Sequence, residues 1–198
     1  MAFLRSVNPL DFGPVLRAGP VYLRSPQMSD FHSWVELRAL SQRFLCPWEP
    51  TWPRDDLTKS SFRRRIKRYA RDVRDDLAYP FFIFETDSDN IIGGLTLSNV
   101  RRGVAQTCAL GYWVGEPYAR CGFMTAAVGA IVPYVFKTLQ LHRLEAACLP
   151  GNEASVKLLE KCGFEQEGYA RRYLRIDGKW QDHLLFGLIA DDIDTQAR

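Results

Sequence analysis

The sequence predicts a mixed α/β sheet, and three stretches carry that prediction. Residues 110–136 read as a strand, a tight glycine-containing loop and a helix in direct succession. Residues 79–114 read as three strands in a meander that feeds this loop. From residue 143 a strand, a short helix and two closing strands follow, the last two joined at the hairpin dipeptide Asp177-Gly178. The full order is β-α-α-β-β-β-α-β-α-β-β, about seven strands and four helices. No linker, repeat or low-complexity run interrupts it, so one domain is expected over residues 1–198.

Each element has a local reason. Residues 1–18, rich in Pro and Gly, read as an irregular leader. Val21 to Arg24 is a short strand. Ser29 suits the cap of a helix running to about Leu40, with Phe31, Trp34, Val35 and Leu37 apolar. Phe44 to Pro53 holds three prolines, which exclude a regular element. With Trp48, Trp52 and Glu49 it forms a substrate wall, an apolar plug over the core edge, or both. Residues 55–77 read as a helix, because Phe62, Ile66, Tyr69, Val73 and Leu77 recur at helical spacing. Its other face carries Arg63, Arg64, Arg65, Lys67, Arg68, Arg71 and Arg74. That face is either solvated and partly balanced by Asp72, Asp75 and Asp76, or a docking surface for an acidic partner such as RNA or a ribosome. Tyr79 to Thr86, Ile91 to Val100 and Val104 to Val114 are the meander, with turn residues at 87–90 and 101–103. Thr125 to Phe136 is a helix strengthened by Ala126, Ala127 and Ala130. Arg143 to Cys148, Ala154 to Lys161, Phe164 to Leu174 and Trp180 to Leu188 complete the chain.

Composition narrows the class. The chain is 46% hydrophobic and 25% charged, values of an ordinary globular domain rather than a disordered or membrane-embedded chain. A net charge of +3 permits anionic ligands without demanding nucleic acid. Five scattered cysteines with no C-x-x-C pair fit free thiols in a reducing compartment. No apolar run reaches the length of a membrane span, and Arg5, Pro9 and Asp11 break any signal-like segment, so a cytoplasmic protein is expected. His32, His142 and His183 lack metal-ligand spacing, and no metal is expected.

The chemistry is expected in the loop Ala119 to Met124. Backbone N–H groups at the start of a helix lack intrahelical partners, and the positive end of the helix dipole lies there. Together they form a cradle for phosphate, with Gly122 allowing close approach and Arg120 adding a cation. A plain strand-to-helix turn is the alternative. Downstream, Asn152-x-x-Ser155 opens the short helix and Gly163-Phe-x-x-Glu-Gly168 closes it; both polar side chains also suit helix capping.

The cradle, Asn-x-x-Ser and Gly-Phe-x-x-Glu-Gly, in this order and spacing, resemble the GNAT superfamily of acetyl-CoA N-acetyltransferases over nearly the whole chain. A finer resemblance is to its RimJ/RimL group, which acetylates the N-termini of ribosomal proteins. It rests on Phe44-Leu-x-Pro-Trp-Glu-Pro50, Leu97-Ser-Asn-Val-x-Arg-Gly103, Leu110-Gly-Tyr112, Glu167-Gly-Tyr-Ala170, Tyr173-Leu-x-Ile-Asp-Gly178 and Trp180-x-Asp-His183. The resemblance implies a sheet splayed between its fourth and fifth strands and direct acetyl transfer from acetyl-CoA to an amine. It implies that the CoA pyrophosphate meets Arg120, Cys121, Gly122, Phe123, Met124 and Thr125. The pantetheine arm then pairs with backbone groups of Trp113 and Val114 like an added strand, one N–H polarises the thioester carbonyl, and Asn152 hydrogen-bonds the arm. Ser155 is implied to donate to the departing sulfur, while Trp48 and Tyr112 line the acceptor.

The chain departs from the family pattern in three places. The superfamily loop runs Gln/Arg-x-x-Gly-x-Gly/Ala, whereas this one is Ala119-Arg-Cys-Gly-Phe-Met124. Ala109 and Leu174 stand where related enzymes place a glutamate base. Cys121 lies in the cradle, as a loop filler prone to exchange with CoA or as a nucleophile. The missing base bears on the substrate. At pH 7 roughly 10–15% of an α-amine is neutral, against about 0.04% of a lysine, so an N-terminal acceptor needs less help. Glu49 is the candidate base or amine-binding acid, with Asp182 and His183 as alternatives. The expected function is N-terminal acetylation of a protein, a ribosomal one by the RimJ/RimL resemblance. Acetylation of a small amine or antibiotic, and a weakly catalytic CoA-binding module docked on ribosomes through residues 55–77, are the rivals.

Overall fold

Every second residue of the strand Arg143–Cys148 is buried, as a strand with one covered face requires. Five consecutive residues of Tyr79–Glu85 are buried, which marks a strand covered on both faces. These strands belong to one eight-stranded sheet in a computed structural model that describes residues 13–191. The strands are β1 (Leu16–Ala18), β2 (Val21–Arg24), β3 (Tyr79–Glu85), β4 (Ile91–Arg101), β5 (Thr107–Val114), β6 (Arg143–Cys148), β7 (Glu165–Ile176) and β8 (Lys179–Ile189). Their order is β1-β2-β3-β4-β5-β6-β8-β7. All neighbours are antiparallel except β5 and β6.

The helices are α1 (Phe31–Leu40), α2 (Gln42–Leu45), α3 (Lys59–Arg74), α4 (Phe123–Pro133) and α5 (Glu153–Lys161). They cover both faces because neighbouring strand residues point in opposite directions. Phe81, Ile83, Leu97, Leu110 and Leu144 share a core with Met124, Ala127, Val128 and Ile131 of α4 and Leu159 of α5. Phe82, Phe84 and Ile91 share a second core with Trp34 and Leu37 of α1 and Phe62 and Ile66 of α3. Phe62 is fully buried, its ring 4.9 Å from that of Trp34 and 5.6 Å from that of Phe31. Such a side chain contributes about 1.5–3 kcal/mol by burial.

The structure amends several expectations. Part of the leader is a strand: β1 returns through Gly19-Pro20 to pair with β2, Gly19 supplying the positive φ of the turn. Residues 1–12 lie outside the described residues. Ser29 does not cap α1; it sits in a 3₁₀ turn, Met28–Asp30, where the buried Asp30 accepts from the Gln27 N–H and from Arg24. The Phe44–Pro53 stretch is irregular only from Glu49 on, because α2 and a 3₁₀ turn, Cys46–Trp48, occupy its first part. α3 is shorter than 55–77: Thr58 caps it by accepting from the Ser61 N–H, and Leu77 is exposed beyond its end. β5 begins at Thr107 rather than Val104. α4 begins at Phe123, two residues early, and past Pro133 the chain widens into a π-turn, Tyr134–Thr138. Counting β1 and α2, the sheet has eight strands and the fold five helices.

One irregularity positions the site. β5 and β6 pair from Thr107↔Arg143 only as far as Leu110↔Ala146. Beyond that point β6 stays with β8, and Gly111 to Val114 stay with β4. The strands therefore splay and leave an open edge on β5.

Candidate active site

The open edge can be read residue by residue. Gly115 donates to the Ile92 carbonyl at 2.9 Å. In an antiparallel ladder such bonding alternates, so Trp113 also directs its backbone groups to β4. Tyr112 and Val114 direct theirs into the splay. Of the pair Trp113 and Val114 expected on the open side, Val114 has that orientation, and Tyr112 joins it.

The loop after β5 makes the cradle. A 3₁₀ turn, Glu116–Tyr118, ends the strand, and Arg120 and Gly122 both adopt left-handed conformations, at φ 62° and 81°. Gly122 caps α4 without any side-chain hydrogen bond, and no acid lies in the first turn. The N–H groups of Phe123, Met124 and Thr125 thus begin a helix with the donor deficit that anions fill. Arg120 and Cys121 are exposed beside them, while the Met124 side chain is buried in the core and Phe123 packs on Tyr118. The Cys121 thiol donates to the Ala119 carbonyl of its own loop at 3.4 Å. The loop is anchored from the other face: the Glu116 N–H donates to the hydroxyl of Ser41, a fully buried residue at the end of α1, at 2.9 Å.

Three polar side chains gather at the splay. Asn152 caps α5, its Oδ1 accepting from the Ser155 N–H at 3.2 Å, which realises the capping alternative. The Ser155 hydroxyl lies 2.5 Å from the Tyr112 hydroxyl. Burial pushes the Tyr112 phenol and the Cys148 thiol up from their ordinary values, so Tyr112 stays protonated. The phenol–serine pair therefore stands at the splay as a protonated hydrogen-bond donor.

The opposite face of β5 carries a second cluster. Arg38 of α1 is 94% buried, with its guanidinium between the Trp52 ring (4.0 Å) and the Trp113 ring (4.8 Å). It donates two 2.7 Å bonds to Glu49, and Trp52 Nε1 donates a third at 2.7 Å. Gly94 permits this arrangement: a Cβ there would meet Trp113 Nε1 at 2.4 Å. The Glu49 carbonyl accepts from Asp177 N–H at 2.9 Å, so the proline-rich loop leans on the β7–β8 turn. Trp48 is exposed on that loop. Sequence reasoning missed Arg38 and Ser41. A charge at Arg38, one turn after Trp34 on the buried face of a helix, was the available signal.

Asp182 and His183 take their hydrogen bonds outside both clusters. Asp182 accepts from the Tyr169 hydroxyl and the Arg172 N–H, and these donors hold its carboxyl below the usual range. It braces a bulge in β7. His183 is buried against Tyr173 and bonds the Gln181 carbonyl region through Nδ1. All five cysteines are free. Among the described residues no helix is long and apolar enough to cross a membrane.

Comparison with known proteins gives the family. The acetyltransferase (GNAT) domain family matches residues 21–165. The chain is 38% identical over 165 residues to the [ribosomal protein uS5]-alanine N-acetyltransferase of Escherichia coli, covering 82% of this chain and 85% of that one. It is 33% identical over 178 residues to the probable N-acetyltransferase YjcK of Bacillus subtilis, covering 90% and 98%. Among solved structures, Mycobacterium smegmatis RimJ in complex with CoA-disulfide superposes with a TM-score of 0.84 at 33% identity, over 91% of this chain and 88% of that one.

Proposed function

The chain belongs to the GNAT acetyltransferase family, and on that premise we propose that its acceptor is the N-terminal α-amine of a protein, a ribosomal one by its likeness to the uS5 enzyme. Acetyl-CoA supplies an activated thioester carbonyl. The residues present fit it: an uncapped helix N-terminus at Gly122 and an unpaired strand edge at Tyr112 and Val114 suit the anionic and amide parts of that molecule. The cradle from Arg120 to Thr125 orients the phosphates, and Asn152 borders the arm. An N–H on the open edge of β5 stabilises negative charge on the carbonyl oxygen. The Tyr112–Ser155 pair gives a hydrogen bond to the departing sulfur, and burial holds the phenol in its protonated form.

Glu49 serves as the amine-binding acid. Its Oε2 takes two donors and its Oε1 one, so Oε1 retains room for an ammonium N–H. A carboxylate held by a guanidinium positions the amine, and water accepts the proton. This suffices for an α-amine and not for a lysine. The observation that carries the reading is the splayed edge beside the Tyr112–Ser155 pair, in a chain 38% identical to an alanine N-acetyltransferase. Mass spectrometry tests it with acetyl-CoA and Ala- or Ser-initiated peptides, α-amine free or blocked, each with an internal Lys. Acetyl on the free α-amine alone is expected. Acetyl on Lys, or none on any peptide despite acetyl-CoA binding, contradicts it.

A further inference from the structure

Beside the Arg38–Glu49 cluster lies an open cleft of about 570 Å³ between the proline-rich loop and the first half of α3. Arg38, Arg64, Arg65 and Arg68 line it, against the two acids Glu49 and Asp56. The α3 residues among them fall on one helix face because they lie three, four and seven positions beyond Ser61. Positive charge is thus in excess, and it is unevenly committed. Arg38 and Arg65 are bound to Glu49 and Asp56. Arg64 pairs with the exposed Asp55, and Arg68 reaches Asp72 only at 4.0 Å.

The charge balance names the complement. Four guanidinium groups face two carboxylates along the walls, so a carboxylate brought into the cleft is what they lack.

Resting on the α-amine reading above, we infer that this cleft receives acidic side chains of the acceptor, making the enzyme selective for proteins with Asp or Glu shortly after the acetylated residue. The position suits that role. Arg38 lines the cleft and stacks on Trp113, which belongs to the strand whose open edge is assigned above to the thioester. An extended chain advances about 3.3 Å per residue, so a peptide with its amine at Glu49 passes the cleft within its first few residues. Trp52 and the prolines at 50 and 53 offer a rigid apolar rim to its backbone.

The test compares peptides Ala-Ser-Glu-Glu, Ala-Ser-Gln-Gln and Ala-Ser-Lys-Lys, each extended by the same neutral tail. At low salt kcat/KM for the Glu peptide is expected to exceed that for the Lys peptide about tenfold, and the gap to shrink in about 0.5 M salt. Arg68→Glu, at a side chain more than half exposed, should erase the preference while leaving the melting temperature and the KM for acetyl-CoA unchanged. Equal turnover of the three peptides, a preference for Lys, or a preference that survives both Arg68→Glu and Arg64→Glu would overturn the inference. If no peptide is acetylated, fluorescence anisotropy of a dye-labelled Glu peptide decides the cleft separately from the reaction. Salt-sensitive binding lost in Arg68→Glu upholds it, and absence of binding refutes it.

Discussion

On the α4 side of β5, the groups assigned to the cofactor are mostly backbone N–H groups: the first turn of α4 after Gly122 and the open edge at Tyr112 and Val114. On the α1–α3 side, the groups assigned to the acceptor are side chains drawn from separate segments. Arg38 comes from α1, Glu49 and Trp52 from the proline-rich loop, Trp113 from β5 and Arg68 from α3. A backbone site tolerates changes in side chains, which is why Ala119 and Met124 can stand in a loop that keeps Gly122. A side-chain site depends on long-range packing, so single substitutions there should reach stability as well as binding.

The largest effect should come from breaking that packing. Arg38→Ala removes the guanidinium between two indoles and leaves Glu49 half-buried without its partner. A loss of about 2–4 kcal/mol is expected in urea unfolding. Arg38→Lys should recover only part of it, since an ammonium cannot make the bidentate pair. A loss as small as that of an exposed ion pair would break the contrast between the two sides.

An intermediate effect is expected at Gly94. In Gly94→Ala the new methyl meets Trp113 Nε1 and displaces the indole from Arg38. About 1–3 kcal/mol should be lost, with a rise in KM for the peptide and little change in KM for acetyl-CoA. Unchanged unfolding would mean that the indole has another place to go.

The smallest effect sharpens the contrast from outside it. Arg143 holds the exposed Glu167 carboxyl below its usual range, across β6 and β7. A depressed folded pKa stabilises above the unfolded value, near 4.3, and that contribution fades as pH falls through the folded pKa. At an exposed pair it amounts to less than about 1 kcal/mol. Glu167→Gln should therefore flatten the acid limb of the stability–pH curve slightly and leave the curve above about pH 6 displaced by no more than that amount.

The same contrast governs what the sequence disclosed. The α4 side was legible because its signals are local. A strand running into Gly122, an alanine-rich helix, and Asn152 three residues before Ser155 each act within one turn of chain. Val114 was placed on the open edge, yet the alternation that sends Trp113 to β4 depends on the register with Ile92, which no local pattern states. The acceptor side was legible only in its composition. Trp48, Trp52 and Glu49 stood out in a proline-rich run, but the partner of Glu49 lies eleven residues upstream on another element. β1 was missed for a related reason: three residues of ordinary polarity become a strand only because β2 offers an edge.

Paired steady-state kinetics on one Ala-initiated peptide tests the division of labour most directly. Gly122→Val places a branched side chain where φ is 81° and in the cradle itself. It should raise KM for acetyl-CoA about tenfold, the equivalent of about 1.4 kcal/mol of binding, and leave KM for the peptide alone. Glu49→Gln should do the reverse. If both substitutions raise the same KM, or if Glu49→Gln lowers kcat with neither KM changed, β5 does not separate a cofactor side from an acceptor side.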